Sequence, residues 1–170
     1  MKKMSRLAIL SLGLGLALSL GACAGLGAPP PLPGEPRAAV EAKLGRPGAV
    51  YPAGADSMLE YATGPFGQYT YMARIGPDGR LKSFEQVLTG EKFATIKIGR
   101  DTKADVLRTI GRPAETSYLS WQKLEVWSYR YKESGVWDSM MHVHFDGNGV
   151  VHSLMNGPDP MKEERRGFFR

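Results

Sequence analysis

Hydrophobic and polar positions in this chain predict two short amphipathic helices. Val40 and Leu44 are four residues apart, and Val106 and Ile110 repeat that spacing. Residues four apart lie on one side of an α-helix, so each pair predicts one apolar helix face. The Thr-Lys-Ala-Asp stretch at 102–105 predicts a capping box at the start of the second helix. Each helix is therefore expected to bury one side.

A Gly-Arg-Pro tripeptide follows each predicted helix. Gly45 and Gly111 are expected to supply a left-handed cap, because glycine tolerates positive φ. Pro47 and Pro113, two residues further on, block any continuation of the helix. The repeated motif therefore predicts two helix ends rather than a catalytic element.

Segments with the period of a β-strand follow the helices. In residues 124–129 and 141–146 the side chains at alternate positions form two sets, the clearest being Met141, Val143 and Phe145 against the polar His142, His144 and Asp146. This alternation predicts antiparallel strands with two different faces. Two glycine-containing stretches, 76–79 and 146–149, predict hairpins whose three-residue loop is a type I turn followed by a bulge. This register pairs four side chains on the core face, namely Ile75 with Leu81 and Phe145 with Val151.

The two halves of the chain repeat one another. The helix and its Gly-Arg-Pro recur 66 residues later, and the hairpin recurs at an offset of 70. We therefore predict a first repeat at residues 36–88 and a second at 89–160, which begins with a further short helix at 91–98. The expected fold is α+β, with two tandem helix-plus-three-strand units that share an antiparallel sheet and pack their helices on one face. Residues 161–170 are expected to form a charged tail.

The N-terminal segment has the pattern of a secretory signal peptide. A short cationic stretch at 1–6 precedes residues 7–20, which carry no charge. This run is shorter than the roughly 20 apolar residues that cross a bilayer. Its exit reads LGAC and resembles a bacterial lipobox, which implies cleavage between Ala22 and Cys23 and a lipid on the Cys23 sulfur. The alternative is an ordinary signal peptide at 1–22 beside an incidental cysteine.

A lipid on Cys23 would anchor the chain to a membrane through a tether. Residues 23–35 are rich in Pro and Gly, a composition typical of an extended linker. One acyl chain binds a membrane only reversibly, whereas two or three on one residue hold it firmly. Because Ala24 rather than an aspartate follows the cysteine, we expect an outer-membrane location with the body facing the periplasm.

The distribution of charge argues against nucleic-acid binding. The formal net charge of the whole chain is +5, and the leader supplies three of its cations and no acid, which leaves +2 after cleavage. Along the rest of the chain, cationic residues form no run apart from Arg165 and Arg166. A nucleic-acid-binding protein needs a basic patch or stripe, so we predict no such partner.

Three stretches of the second repeat carry a family resemblance. They read "FATIKIGRDTKADVLRTIGRP", "EVWSYRY" and "HVHFDGNGVV" and lie between Phe93 and Met155. They resemble the SmpA/OmlA (BamE-like) family, which implies a small outer-membrane lipoprotein with an ααβββ body, accessory to the machine that inserts β-barrels. The tandem arrangement resembles instead the architecture of the β-lactamase inhibitor protein. Besides the Gly-Arg-Pro residues, the resemblance marks as fold-motif positions Trp127, Tyr129, Phe145 and Gly149.

The three histidines are the main candidates for chemistry. His142 and His144 are expected to share a strand face, and the hairpin register places His152 opposite His144. Three imidazoles could bind zinc, but no carboxylate or cysteine completes the set, and a polar sheet surface is the simpler interpretation. We find no nucleophile–base pattern and no glycine-rich phosphate loop. We therefore predict no catalytic residue, no metal and no cofactor.

Two functions remain open from the sequence. The first is a lipid-anchored, non-catalytic scaffold or adaptor in cell-envelope biogenesis, accessory to β-barrel assembly, with barrel-assembly or other envelope proteins as partners. The second is a membrane-tethered binder or inhibitor of a periplasmic hydrolase or other protein. Both use contact rather than catalysis, and the aromatic residues of the predicted strands suit such contacts.

Overall fold

Two four-stranded antiparallel sheets, each in chain order, make up most of the structure, a computed structural model that describes residues 29–64 and 66–162. All their strands belong to a compact unit that begins at Pro31. The elements, in order, are α1 (Arg37–Leu44), β1 (Ala49–Ala53), β2 (Asp56–Thr63), β3 (Tyr69–Ile75), β4 (Leu81–Gln86), α2 (Gly90–Phe93), α3 (Lys103–Ile110), β5 (Glu115–Leu119), β6 (Leu124–Glu133), β7 (Trp137–Phe145) and β8 (Val151–Pro158).

The predicted fold class is wrong. The two repeats do not share a sheet, because β1–β4 form one sheet and β5–β8 form another. Each sheet has four strands rather than three, and the described helices are short, with eight, four and eight residues. The strands missed by the sequence are β1 and β5. Every residue of β5 is exposed, so burial imposes no apolar alternation that would have indicated this strand.

The predicted hairpins are confirmed, and both contain the same irregularity. Ile75 pairs with Leu81 and Phe145 with Val151, and these four side chains are at most 3 % exposed. In both hairpins a β-bulge gives the strand after the turn one extra residue, Lys82 in the first and His152 in the second. Gly79 and Gly149, at the ends of the two turns, each adopt a φ of 74°, the left-handed conformation that glycine adopts without steric cost.

The helix boundaries follow most of the sequence signals. The capping box is confirmed, since the Thr102 side chain accepts from the Asp105 amide and the Asp105 carboxylate accepts from the Thr102 amide. Gly45 and Gly111 do have positive φ, at 81° and 82°, but their ψ values of −169° and −164° are extended. The expected left-handed cap is therefore an abrupt return to extended chain. The helix expected at 91–98 is only the short α2.

Each repeat has its own hydrophobic core between helix and sheet residues. Val40 of α1 is fully buried in the first core, and Val106 and Ile110 of α3 are fully buried in the second. Burial of each such aliphatic side chain stabilises the fold by about 1.5–3 kcal/mol. Edge-to-face rings add to the second core, where the centroids of Trp127 and Phe145 are 4.7 Å apart. The other sheet residues of these cores are Leu59, Tyr61, Ala73, Ile75 and Leu81 in the first, and Tyr129, Tyr131, Val143 and Val151 in the second.

Candidate functional site

The predicted lipidation site lies outside the described residues. Ala22 and Cys23 both precede residue 29, where the description begins, so cleavage and acylation remain predictions from the sequence. Within residues 29–64 and 66–162, no helix combines the length and the apolar character that spanning a bilayer requires.

Three of the predicted fold-motif residues meet at the start of α3. The Nζ atom of Lys103 lies 5.9 Å from the centroid of the Trp127 ring and 5.7 Å from that of Phe145. Gly149 lies beside the Lys103 stem, since a Cβ atom added to this glycine would be 3.7 Å from that side chain, an ordinary van der Waals contact. The Lys103 ammonium donates to Glu125 at 2.5 Å, and the Trp127 indole N–H donates to the same carboxylate at 2.7 Å. These two hydrogen bonds, with Lys103 the larger cause, lower the pKa of Glu125.

Tyr129 connects this core to the end of α3. Its ring is 1 % exposed, and its hydroxyl donates to the carbonyl of Gly111 at 3.1 Å. Burial is the main cause that raises the pKa of this phenol, so it stays neutral and keeps its proton for the hydrogen bond. Tyr129 thereby fixes the turn that carries the second Gly-Arg-Pro motif.

That turn forms a buried polar junction between the two repeats. Glu60, on β2 of the first repeat, is 1 % exposed. Its carboxylate accepts from the Tyr51 hydroxyl at 2.5 Å, and from the backbone N–H and the Nε of Arg112 at 3.1 and 2.9 Å. Three donors thus surround one buried charge, as a buried carboxylate requires. We call Glu60, Tyr51 and Arg112 the junction.

The two side-chain donors of the junction differ in charge. Burial first, and then the Glu60 hydrogen bond, raise the pKa of Tyr51. The pKa of Arg112 is raised mainly by its hydrogen bond to Glu60 and by the charge of that carboxylate. Tyr51 therefore remains a neutral donor, and Arg112 supplies the balancing positive charge.

The sequence offered little sign of this junction. Glu60 and Arg112 are 52 residues apart in the sequence. In the second repeat, Ser128 takes the place of Glu60, because Glu60 pairs with the first residue of β1 and Ser128 pairs with the first residue of β5. The repeat comparison therefore shows no shared acid. The available signal was a single glutamate among the apolar residues of β2.

A cleft of about 380 Å³ opens beside the junction. Its walls come from both repeats and include Glu60, Phe66, Leu88, Arg112 and Tyr129. Arg112 closes one side with a side chain that is 55 % exposed. The cleft is therefore a surface depression between the sheets, with one charged pair already matched within it.

A second contact between the repeats lies at the far end of β6 and β7. The buried Gln68 donates its amide N–H to the carboxylate of Asp138 at 2.6 Å. Lys132 also binds this carboxylate at 2.8 Å, and this hydrogen bond is the largest cause of the lowered pKa of Asp138. An open groove of about 490 Å³ adjoins it, with Trp137 and Glu133 on its wall.

The expected pairing of His152 opposite His144 is wrong. His144 pairs with Ser153 rather than with His152, because the bulge before Phe145 makes His152 an extra residue on β8. Nδ1 of His144 lies 2.8 Å from the Ser153 hydroxyl, and Nδ1 of His142 lies 2.8 Å from that of Ser128. Burial, followed by the neighbouring His142 and His152, lowers the pKa of His144. Across residues 29–64 and 66–162, no group of three or more His, Cys, Asp or Glu residues is placed to hold a metal ion.

Large apolar side chains are exposed around the β5–β6 turn. Trp121 in the turn is 97 % exposed, Tyr118 is 60 % exposed and Leu119 is 40 % exposed. The turn itself carries Lys123 at a φ of 55°. We call residues 118–123 the β5–β6 tip. Aromatic and aliphatic groups at a protruding turn are typical of surfaces that bind other molecules.

Comparisons with known proteins provide no assignment. No protein-family model matches the chain, and no curated protein matches it. Among solved structures, the chain is similar to a DUF4309 family protein (YjgB) from Bacillus subtilis, at a TM-score of 0.32 and 12 % identity. That alignment covers 74 % of this chain and 79 % of the other. A similarity at this level supports no inference about fold or function.

Proposed function

We propose that this chain is a lipid-anchored lipoprotein of the outer membrane, which faces the periplasm and acts there as a non-catalytic adaptor in envelope biogenesis. The observation that carries the proposal is the LGAC exit of the leader, with its single cysteine at position 23. The Pro/Gly-rich residues that follow suit a tether between the lipid and the body. A body anchored in this way binds polypeptides that lie within the length of its tether from the membrane.

The adaptor role is supported by a firm body with an exposed contact surface. The junction joins the two repeats through a buried, fully hydrogen-bonded carboxylate. The β5–β6 tip presents Trp121 and Tyr118 to the surroundings. Rigid aromatic side chains lose little entropy on binding, so they are common anchors of protein interfaces.

The narrower role at β-barrel assembly rests on the resemblance of the second repeat to SmpA/OmlA proteins. That resemblance is carried by the Gly-Arg-Pro turn, the Trp-x-Tyr of β6 and the hairpin between β7 and β8. The partners we propose are barrel-assembly components or other envelope proteins.

The anchor is tested by a pair of single substitutions. Cys23→Ser should abolish acyl labelling and release the protein from the membrane fraction, because serine offers no thiol for lipid transfer. Ala24→Ser makes a similar change at the adjacent residue and should leave labelling and fractionation unchanged. A Cys23→Ser protein that stays on the membrane at wild-type levels would contradict the proposal.

The adaptor role is tested by site-directed photocrosslinking in intact cells. A photoreactive residue at position 121 should crosslink to barrel-assembly components, and the same residue at exposed Arg46 serves as the matched control site. Deletion of the protein should then lower folded porin levels and raise sensitivity to large antibiotics. Normal values for both, together with crosslinks from position 121 to a soluble periplasmic enzyme, would replace assembly by the tethered-inhibitor function.

A further inference from the structure

Strand β5 is an uncovered edge of the second sheet. It pairs with β6 on one side, and no other described strand pairs with it. All five of its residues are exposed. In the part of the chain that the structure describes, no backbone hydrogen bond outside the regular helices and strands involves residues 115–119. Alternate residues of such an edge direct free N–H and C=O groups outward.

The corresponding strand of the first repeat carries a block that β5 lacks. Pro52 of β1 pairs with Ser57, and Tyr118 of β5 pairs with Glu125 at the equivalent place in the register. Because Pro52 has no N–H and still pairs with β2, a residue at this position donates no N–H to its own sheet. The N–H of Tyr118 therefore points away from β6, where a further strand would lie. Proline at an edge is a common protection against strand addition.

The opposite edge of the second sheet is less suited to a new strand. Strand β8 is bulged at His152 and ends with Gly157 and Pro158. A bulge twists the edge away and a proline removes a donor, so both discourage pairing. Within the second sheet, β5 is thus the edge that is open.

The side chains around β5 indicate which kind of strand would bind there. Thr116, Ser117, Tyr118 and Leu119 carry no charge, and the charge of Glu115 is matched by an ion pair with Arg130. Tyr118 and Leu119 are consecutive, so they lie on opposite faces of the sheet and offer an apolar contact on each. The adjacent Trp121 extends that apolar surface beyond the strand end.

We propose that β5 accepts an extended segment of a partner polypeptide as a fifth strand of the second sheet. The segment is an uncharged strand with an apolar side chain on each face, one beside Tyr118 and one beside Leu119. Main-chain hydrogen bonds hold it, and Tyr118 and Leu119 select its apolar residues. The inference deepens the proposed function, because it names the chemistry of the partner segment.

The probe for this site is an acetylated, amidated nine-residue peptide of valine and threonine that carries valine on both of its faces. The full chain, lipidated and held in nanodiscs, is titrated with the peptide, and empty nanodiscs serve as the blank. At saturation, amide exchange at Thr116 and Tyr118 should slow at least about tenfold, because each outward N–H gains a hydrogen bond. The amide of Ser117, which faces β6, should change little.

Two substitutions at one position separate backbone from side-chain recognition. Tyr118→Pro copies the first repeat and should weaken peptide binding by about tenfold, since one outward donor is lost. Tyr118→Val keeps the N–H and a strand-forming side chain, and should weaken binding by less than about threefold. The pairing of β5 with β6 is followed in each variant through the amide signals of residues 124–128.

Other results would overturn the inference. Unchanged exchange at Thr116 and Tyr118 under saturating peptide excludes strand addition, whatever the affinity. Equal binding by Tyr118→Pro and wild type excludes it as well. Self-association through β5 without peptide, detected by sedimentation, would make a second copy the occupant. Peptide binding at β5 combined with normal porin levels after deletion would retain this site while rejecting the assembly role.

Discussion

Removal of the Arg112 side chain should destabilise the whole protein through the junction. Arg112→Ala leaves Glu60 buried with two donors, the Tyr51 hydroxyl and the backbone N–H of residue 112, and without its cation. Loss of one partner of a fully buried ion pair costs about 3–5 kcal/mol. The Arg112 side chain is 55 % exposed, so water replaces part of the contact, and we expect a loss of about 2–3 kcal/mol in the free energy of unfolding.

The first repeat supplies a matched control for this substitution. Arg46 occupies the same place in its own Gly-Arg-Pro motif and is exposed. Arg46→Ala should therefore change the free energy of unfolding by less than about 0.5 kcal/mol. The comparison removes effects common to an arginine-to-alanine change in this turn.

A double-mutant cycle separates the ion pair from other effects. Glu60→Gln keeps the shape of the side chain and removes its charge, so Arg112→Ala should cost less in the Glu60→Gln background. The expected coupling is about 2 kcal/mol. Urea unfolding is followed by tryptophan fluorescence, in which Trp127 is the buried residue of the three and lies in the second repeat, whereas Glu60 lies in the first. One transition that shifts as a whole is expected, and additive effects, or equal effects of Arg112→Ala and Arg46→Ala, would refute the reasoning.

Two further comparisons test the steric and titration arguments. Gly45→Ala should lower the free energy of unfolding by about 1 kcal/mol through its positive φ alone, since no atom lies within 4 Å of an added Cβ. Gly111→Ala should lower it by at least about 2 kcal/mol in urea unfolding, because the added Cβ would also lie 3.0 Å from Glu60. Equal costs would contradict the clash. The lowered pKa of His144 means that the unfolded chain binds the proton more readily, so its contribution to stability is complete above about pH 6.5 and is lost as the pH falls toward the folded pKa. His144→Gln should reduce this acid-induced loss, and His152→Gln, which removes only the last of the three causes, should reduce it less, as measured by urea midpoints from pH 7.5 to 5.

Features set by neighbouring residues could be predicted from the sequence. The capping box of Thr102 and Asp105 depends on residues three apart, and the pairing of Phe145 with Val151 follows from the turn between them. Local geometry leaves few alternatives in such cases. The position of His152 was wrong because the bulge adds one residue to β8 and moves Ser153 opposite His144.

Features that depend on distant or solvent-facing residues could not be predicted in the same way. Strand β5 buries none of its side chains, so hydrophobic alternation carried no information about it. The Gly-Arg-Pro motif indicated both helix ends, but Arg46 and Arg112 look equivalent in sequence. They differ only because Glu60, 52 residues before Arg112, faces the second turn in the folded protein. For these reasons the sequence did not predict that each repeat has a fourth strand and forms a sheet of its own.

The junction also determines how many repeats this architecture can join. Each further repeat would have to bring its Gly-Arg-Pro turn to a carboxylate on the sheet before it. The second sheet has Ser128 at the place of Glu60, and the Ser128 hydroxyl lies 2.8 Å from His142. At the other end, Arg46 is exposed at the surface. The exposed Arg46 of one copy would therefore meet no carboxylate at this place on the second sheet of another, so this contact does not join copies of the chain head to tail.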